Sequence, residues 1–509
     1  MTLQVEFQAV VLAAGKGSRM PEITSGKPKC LLPVGPKPLI WYPLYKLQIS
    51  GFTECIVIVL ENQKLEIQGA IEKCCLKIKI EYQAIPGNED LGTADSLRLI
   101  HDKLHSNVLV IPCDLVTDVN MKDVVDIFRK HNASIASLFL QPQNYGNLTI
   151  PGPKLKHKPA SASDFENEVS LPKSLLKKHS NIKIFSMLVD SHVYIIRNWV
   201  IKYLKSKENI STLKGEFLPH IIRKQLSKLP KIGEINPSIL NNEQNDDIFS
   251  FSKEGDLDLL IRSISTFNDH VGDLKSTYHE DSIRCFACIS EYGTFGVRVN
   301  TLPMYCLINE KIIENWNKIA PNEELLFNSS KAETKSTQVD NKCIVWEGAM
   351  LNERTSFKNS IIGPNVEVDR FSRVFNCILM KNVILKERVA LENCIVSDNA
   401  VVDFGSQLKS CLVGSNHNVP EQSNFSNEVL IDSDHHRPSK VLLNNKKSDF
   451  FTFKSEEDLL KYITDKVSKN TNSVFAKSLE KISSMIKNSN TSKTPSDDGD
   501  DPNMTSSDI

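Results

Sequence analysis

Two patterns predict an α/β domain followed by a parallel β-helix in these 509 residues. Near the N-terminus, short apolar runs alternate with helical stretches, which implies crossover units and a mostly parallel, Rossmann-like sheet. Later, apolar positions recur every 17 residues, the mark of a coil built from hexapeptide units. The chain is long enough for roughly two to four domains with substantial cores.

Phe7 to Ala13 reads as a buried strand, and Pro38 to Ser50 as a helix stopped by Gly51. Glu54 to Leu60 and Lys77 to Ile85 read as strands, the stretch after Gly92 as a helix, and Asn107 to Cys113 as a further strand. Ligands of such sheets lie beyond the carboxyl ends of the strands. From Pro142 to Asn181 the pattern weakens into Asn, Pro, Lys and Ser, as in insertions or long loops. Strand-like runs return at Ile182 to Arg197, at Arg284 to Ile289 and at Phe295 to Val299, with a loop expected over Asn236 to Asp247. The α/β domain is thus expected over 1–321 and a polar linker over 322–341.

The repeat follows. Asn359-Ser-Ile-Ile, Asn376-Cys-Ile-Leu, Asn393-Cys-Ile-Val and Ser410-Cys-Leu-Val share one period, as do the columns beginning at Val368 and Phe357. Three apolar columns on one period mean three short strands per coil, so a β-helix is expected over 342–435. Cys377, Cys394 and Cys411 fall in register as small core residues; a metal column would need His or Asp neighbours that are missing. The tail, 436–509, changes composition: Lys440 to Lys493 holds 11 basic and 6 acidic residues, and Thr494 to Ile509 five Asp and no base. Ser455 with Asp458 could cap a short amphipathic helix there, and the last sixteen residues are expected to be disordered.

Charge argues against one class of function, although a balanced total leaves room for a local basic patch. With 61 Lys+Arg against 62 Asp+Glu, bulk attraction to nucleic acid is not expected. No apolar run approaches the ~18 residues needed to span a bilayer, and Met1 to Phe7 lacks the basic start of a secretory signal. Twelve cysteines without framework spacing suit a reducing cytosol.

The chemistry concentrates at two strand ends. The first strand runs into Leu12-Ala-Ala-Gly-Lys-Gly-Ser-Arg-Met20, where Gly15 and Gly17 let backbone N–H groups approach a polyphosphate beside Ser18 and Arg19. Lys27-Pro-Lys-Cys-Leu-Leu-Pro-Val34 then places Lys29 within reach of the same phosphates. Asp114, after the strand ending near Cys113, is the one candidate for a metal ligand, or else a loop and helix-capping group together with Thr117 and Asp118.

These strings resemble the signature of the sugar-phosphate nucleotidyltransferase superfamily. Leu91-Gly-Thr-Ala-Asp-Ser96 resembles its base-and-ribose loop through Gly92 and Thr93, and Asp114 sits where its members carry a first magnesium-binding aspartate. A nucleotidyltransferase-like domain followed by a left-handed hexapeptide β-helix is also that superfamily's arrangement. Lys37-Pro-Leu-Ile-Trp-Tyr-Pro43, Gly92 to Leu97, Cys113-Asp-Leu-Val-Thr-Asp118 and Asn427-Glu-Val-Leu-Ile431 are similar to one branch, the gamma subunits of eukaryotic translation initiation factor 2B. That resemblance implies a non-catalytic subunit of a decameric guanine-nucleotide exchange factor, with no catalytic residue and no cofactor of its own. The implied partners are the catalytic epsilon subunit, the other subunits, and translation initiation factor 2.

The residues can be asked independently. Active members carry a second aspartate in a Gly-x-Trp-x-Asp stretch; here the match is Gly293-Thr-Phe-Gly-Val-Arg-Val-Asn300. Aligned through Pro303 and Tyr305, the aspartate position falls on or near Arg298, which would repel a metal. The rival expectation is an active sugar-1-phosphate nucleotidyltransferase with Arg19 and Lys29 on phosphates and Mg²⁺ on Asp114. Three further groups read as structural: Asp190 with His192 on a strand, Cys285 with Cys288, and Asp434 beside His435 and His436.

Overall fold

The structure is a computed structural model. It describes residues 6–87, 91–142, 150–153, 175, 182–185, 187–225, 248–252, 281–325, 327, 332–335 and 338–431. The expected loop at 236–247, the Asp434 to His436 cluster and the whole tail lie outside them.

Apolar runs become strands wherever two helical layers can cover both faces. Strands β1 (Phe7–Leu12), β2 (Glu54–Leu60), β3 (Lys79–Ile85) and β4 (Asn107–Pro112) are joined by α1 (Trp41–Ile49), α2 (Lys64–Glu72) and α3 (Thr93–Leu99). β5 (Leu115–Thr117) follows, then α4 (Met121–Lys130), β6 (Ile135–Leu140), β7 (Val189–Ile196), α5 (Asn198–Ser206) and α6 (Leu218–Gln225). β8 (Cys285–Ile289), β9 (Gly296–Arg298) and α7 (Leu302–Ile319) complete the domain. The main sheet has the order β8-β6-β7-β4-β1-β2-β3. All pairings are parallel except those of β7, which runs antiparallel to β4 and β6. Chain order reverses at β1, between β2 and β4, so a crevice opens at the carboxyl ends of β1 and β4.

Some boundaries move for physical reasons. The helix expected from Pro38 begins at Trp41, because Lys37–Pro38 pairs antiparallel with Pro33–Val34. The strand expected from Ile182 is shorter, Val189–Ile196. Helix α4 is capped by Asn120, whose Oδ1 accepts the Lys122 N–H at 3.1 Å. Thr117 and Asp118 do other work: the Thr117 hydroxyl donates to Phe295 O at 2.9 Å, and Asp118 Oδ1 accepts the Phe295 N–H at 2.9 Å. They lace β5 to β9, whose register pairs Leu115 with Arg298.

The repeat folds into a left-handed β-helix with three six-stranded parallel sheets. The ladders step by 17 residues, for example Phe357 to Val374 to Leu391 to Leu408, except that Gln338 pairs with Ser356 across 18. Its first coil already includes Glu333–Thr334 and Gln338–Val339, inside the stretch read as linker. Corners need a left-handed residue, and Asn tolerates that conformation best after Gly. Asn359, Asn376 and Asn393 occupy one corner column at φ 46° to 54°, and Asn365, Asn382, Asn399 and Asn416 another at 54° to 59°. Their amides hydrogen-bond from coil to coil at 2.9–3.2 Å. The cysteine column is core packing: the N–H groups of Cys394 and Cys411 donate to the Sγ of Cys377 and Cys394 at 3.3 and 3.4 Å.

One face of the β-helix is not solvent-facing. Ile344, Ile361, Ile378, Ile395 and Leu412 point outward from their sheet, yet are buried in one cluster with α7 and the aromatic residues of α1. There Trp41 stacks on Tyr45 at 4.6 Å and on Trp316 at 5.9 Å. Trp346 Nε1 donates to Gly35 O at 3.0 Å, tying the first coils to the α/β domain. Among the described residues no helix is long and apolar enough to cross a membrane.

Candidate functional site

The loop after β1 is held closed from its far side. The Thr24 hydroxyl bonds the carbonyls of Gly17 (3.1 Å) and Met20 (2.8 Å), and Gly17 sits at φ 72°. A Cβ at Gly17 would lie 2.8 Å from Thr24 Oγ1, so both the angle and the space require glycine. Ser18 and Arg19 are exposed beyond it.

This loop forms one wall of a cleft of about 830 Å³. Gly15, Gly17, Ser18, Arg19, Lys29 and Thr93 all line it, together with Asp114, Asp190, His192 and Lys214. Gly92 does not. Its N–H bonds Asp95 Oδ2 at 2.9 Å, and a Cβ there would collide with the Ser211 carbonyl. That carbonyl also takes the Ala94 N–H at 2.8 Å, so the first turn of α3 is engaged by the 210–213 segment. Nothing in the local sequence around Gly92 signals this contact, which comes from the loop-rich middle of the chain.

Asp114 lies at the cleft's floor with both carboxylate oxygens engaged. Lys29 Nζ forms an ion pair with Oδ2, and Arg298 Nε bonds Oδ1 at 3.0 Å. Side-chain exposure is only 5% for Asp114, 11% for Lys29 and 18% for Arg298, so these charges are weakly screened. Burial pushes the Asp114 carboxyl upward, but the two cations and their hydrogen bonds win and hold it below the usual carboxylate range. Burial, and then the Arg298 charge, push His192 down to about 4. Asp190 Oδ1 accepts the His192 backbone N–H, and its Oδ2 accepts the Tyr194 hydroxyl, each at 2.8 Å. That carboxylate is engaged in holding its own strand.

A divalent cation does not fit this donor set. Two aspartates converging on a metal would need open oxygens and no fixed cation between them. Here Arg298, the residue expected on or near a second acidic position, is a guanidinium bonded to Asp114, and among the described residues no group of three His, Cys, Asp or Glu could hold a metal. Five cationic side chains (Lys16, Arg19, Lys29, Lys214 and Arg298) line the cleft against two carboxylates, which favours an anionic occupant. Cys285 and Cys288, three apart on β8, face different clusters across the sheet and cannot share a ligand.

Comparison with known proteins agrees with the two-part architecture. Residues 8–167 match the nucleotidyl transferase family, and residues 326–419 match the GlmU-like C-terminal hexapeptide family. The chain is similar to the gamma subunit of translation initiation factor eIF2B from Schizosaccharomyces pombe, at 27% identity over 70% of this chain and 74% of the relative. It is 26% identical to the Dictyostelium discoideum protein of the same name, over 72% of this chain and 89% of that one. The Caenorhabditis elegans counterpart is 34% identical over 43% of this chain and 59% of its own length.

Proposed function

We propose that this chain belongs to the family of gamma subunits of translation initiation factor eIF2B and serves that factor as a non-catalytic scaffold and regulatory subunit. The observation that carries the non-catalytic half is the Asp114 carboxylate, claimed by Lys29 on one side and Arg298 on the other. Nucleotidyl transfer depends on a metal bridging phosphates and neutralising charge. A carboxylate committed to two fixed cations offers that metal neither charge nor an open oxygen. The remaining structure suits assembly: a rigid coil stack, with polar residues such as Glu392 and Lys409 on an outward face. In this reading the chain works in the cytosol and pairs with the epsilon subunit. That partner carries out nucleotide exchange on initiation factor 2 within the decamer.

The intact glycine loop and the cationic cleft favour a second reading, an active sugar-1-phosphate nucleotidyltransferase. A pyrophosphorolysis assay of the purified chain with several nucleotide sugars and Mg²⁺ separates the two. We expect no turnover above the no-enzyme blank; turnover abolished by Arg19→Ala would overturn the non-catalytic reading. Assembly has its own test. Affinity purification through this chain is expected to recover the epsilon homologue in near-stoichiometric amount, and recovery of neither that subunit nor initiation factor 2 would sink the assignment.

A further inference from the structure

Lys27 and Lys29 lie two residues apart and serve different halves of the molecule. Lys27 Nζ sits 3.1 and 3.0 Å from the two carboxylate oxygens of Asp398, on a corner of the β-helix, with side-chain exposures of 12% and 15%. Asp398 Oδ1 also accepts the Lys381 N–H of the preceding coil at 2.9 Å. Gly26 approaches the next coil so closely that a Cβ would sit 3.2 Å from the Ser415 hydroxyl. Between the lysines stands Pro28 at φ −55°, whose ring removes the softest torsion of the connection. Lys29 then ends on Asp114.

The other counter-ion of Asp114 is tied to the same place. Arg298 ends β9, and four residues later α7 begins, the helix on which the outward isoleucines of the β-helix rest. Both cations that hold the Asp114 carboxylate are therefore carried by segments that grip the β-helix. Two unrelated ion pairs would not need this arrangement.

We propose that Asp114 with its two counter-ions mechanically couples the cleft to the seating of the β-helix, the Lys27-Pro28-Lys29 strap transmitting any displacement of Lys29 to the Asp398 corner. An anion that draws Lys29 from Asp114 and a protein that docks near Asp398 then influence one another reciprocally. The coupling is independent of whether the cleft turns over a nucleotide, so it survives failure of the non-catalytic reading.

Hydrogen exchange on the full chain tests it. Lys29→Met leaves the Lys27–Asp398 pair chemically intact, yet it is expected to speed exchange at Lys381 and the 397–399 corner by about five-fold or more, with β3 unchanged. Lys27→Met should do the same, and the double variant should add little, because both changes cut one strap. If Lys29→Met leaves Lys381 within about two-fold of the parent while Lys27→Met accelerates it, the strap transmits nothing and the proposal fails; multiplied effects in the double variant would overturn it equally. Should Lys29→Met not fold, Asp114→Glu keeps the charge but moves it by one methylene. Faster exchange at Lys381 supports the coupling, and a change confined to cleft peptides ends it.

Discussion

Replacing Asp114 with alanine is expected to cost this protein about 3 kcal/mol of stability or more, the penalty of leaving buried cations without their partner. All three side chains are less than one-fifth exposed, so solvent cannot take over the role of the carboxylate. In a denaturation series this is a drop of roughly 5–10 °C in midpoint. A carboxylate kept free for a metal behaves in the opposite way, because removing it relieves unfavourable charge and leaves stability level or improved. The direction of the change therefore decides between a structural ion triad and a metal ligand without any activity assay. Acid provides an internal check. Because Lys29 and Arg298 hold the folded carboxyl below its unfolded value, the triad's contribution is full above about pH 4 and is lost as the pH falls through the depressed folded value. Asp114→Ala should flatten that acid limb while leaving the dependence above pH 5 unchanged, and an unaltered acid limb would show that the pair contributes nothing.

Much of this site is readable from local strings. Gly15 to Arg19 follows a strand, Lys29 follows a proline, and Asp114 follows another strand; each cue is a few residues long. Alignment through Pro303 and Tyr305 puts Arg298 on or near a second acidic position, and its bond to Asp114 follows from the register of β9 against β5, which the strings do not show. What stayed hidden was long-range. Ser211 on Gly92 and Asp398 on Lys27 join residues more than a hundred positions apart, and neither end has a periodicity that points to the other. The antiparallel direction of β7 is similarly silent, since an apolar run carries no arrow. In the β-helix the period makes the ladders from 342 onward legible, because one repeat dictates those coils, whereas Glu333–Thr334 and Gln338–Val339 lie inside the expected linker. The same repeat carries an asymmetry between its faces. The Ile-Ile, Ile-Leu, Ile-Val and Leu-Val pairs are apolar at both positions, whereas pairs such as Glu367-Val368 alternate. In a strand, adjacent apolar residues mean that both faces are covered.

That doubled column leads to the second large effect. Ile395→Asp places a charge where the side chain is 1% exposed, on the outward side of the coil and against the α7 cluster. The change forfeits roughly 1.5–3 kcal/mol of apolar burial and adds the cost of desolvating an unpaired carboxylate, a combined loss of more than about 4 kcal/mol. The damage should be directional. Val396, the next residue, points into the coil and keeps its ladder with Val413, so the β-helix retains its own hydrogen bonds while its seat on α7 opens. Limited proteolysis should then cut near 320–332 well before the coils are attacked. The control is Lys409→Ala on another face, where the Glu392 pair at 3.0 Å involves side chains 62% and 56% exposed. Its removal should change stability by less than about 0.5 kcal/mol and leave the cleavage pattern alone. Equal effects of the two substitutions would mean that the apolar face carries no packing energy, and the burial of one outward residue from each of five consecutive coils in a cluster with α7 and α1 would then lack a physical cause. A coil whose two neighbouring apolar positions face different surroundings must instead respond unequally to charge at each, since only one of them holds two domains together.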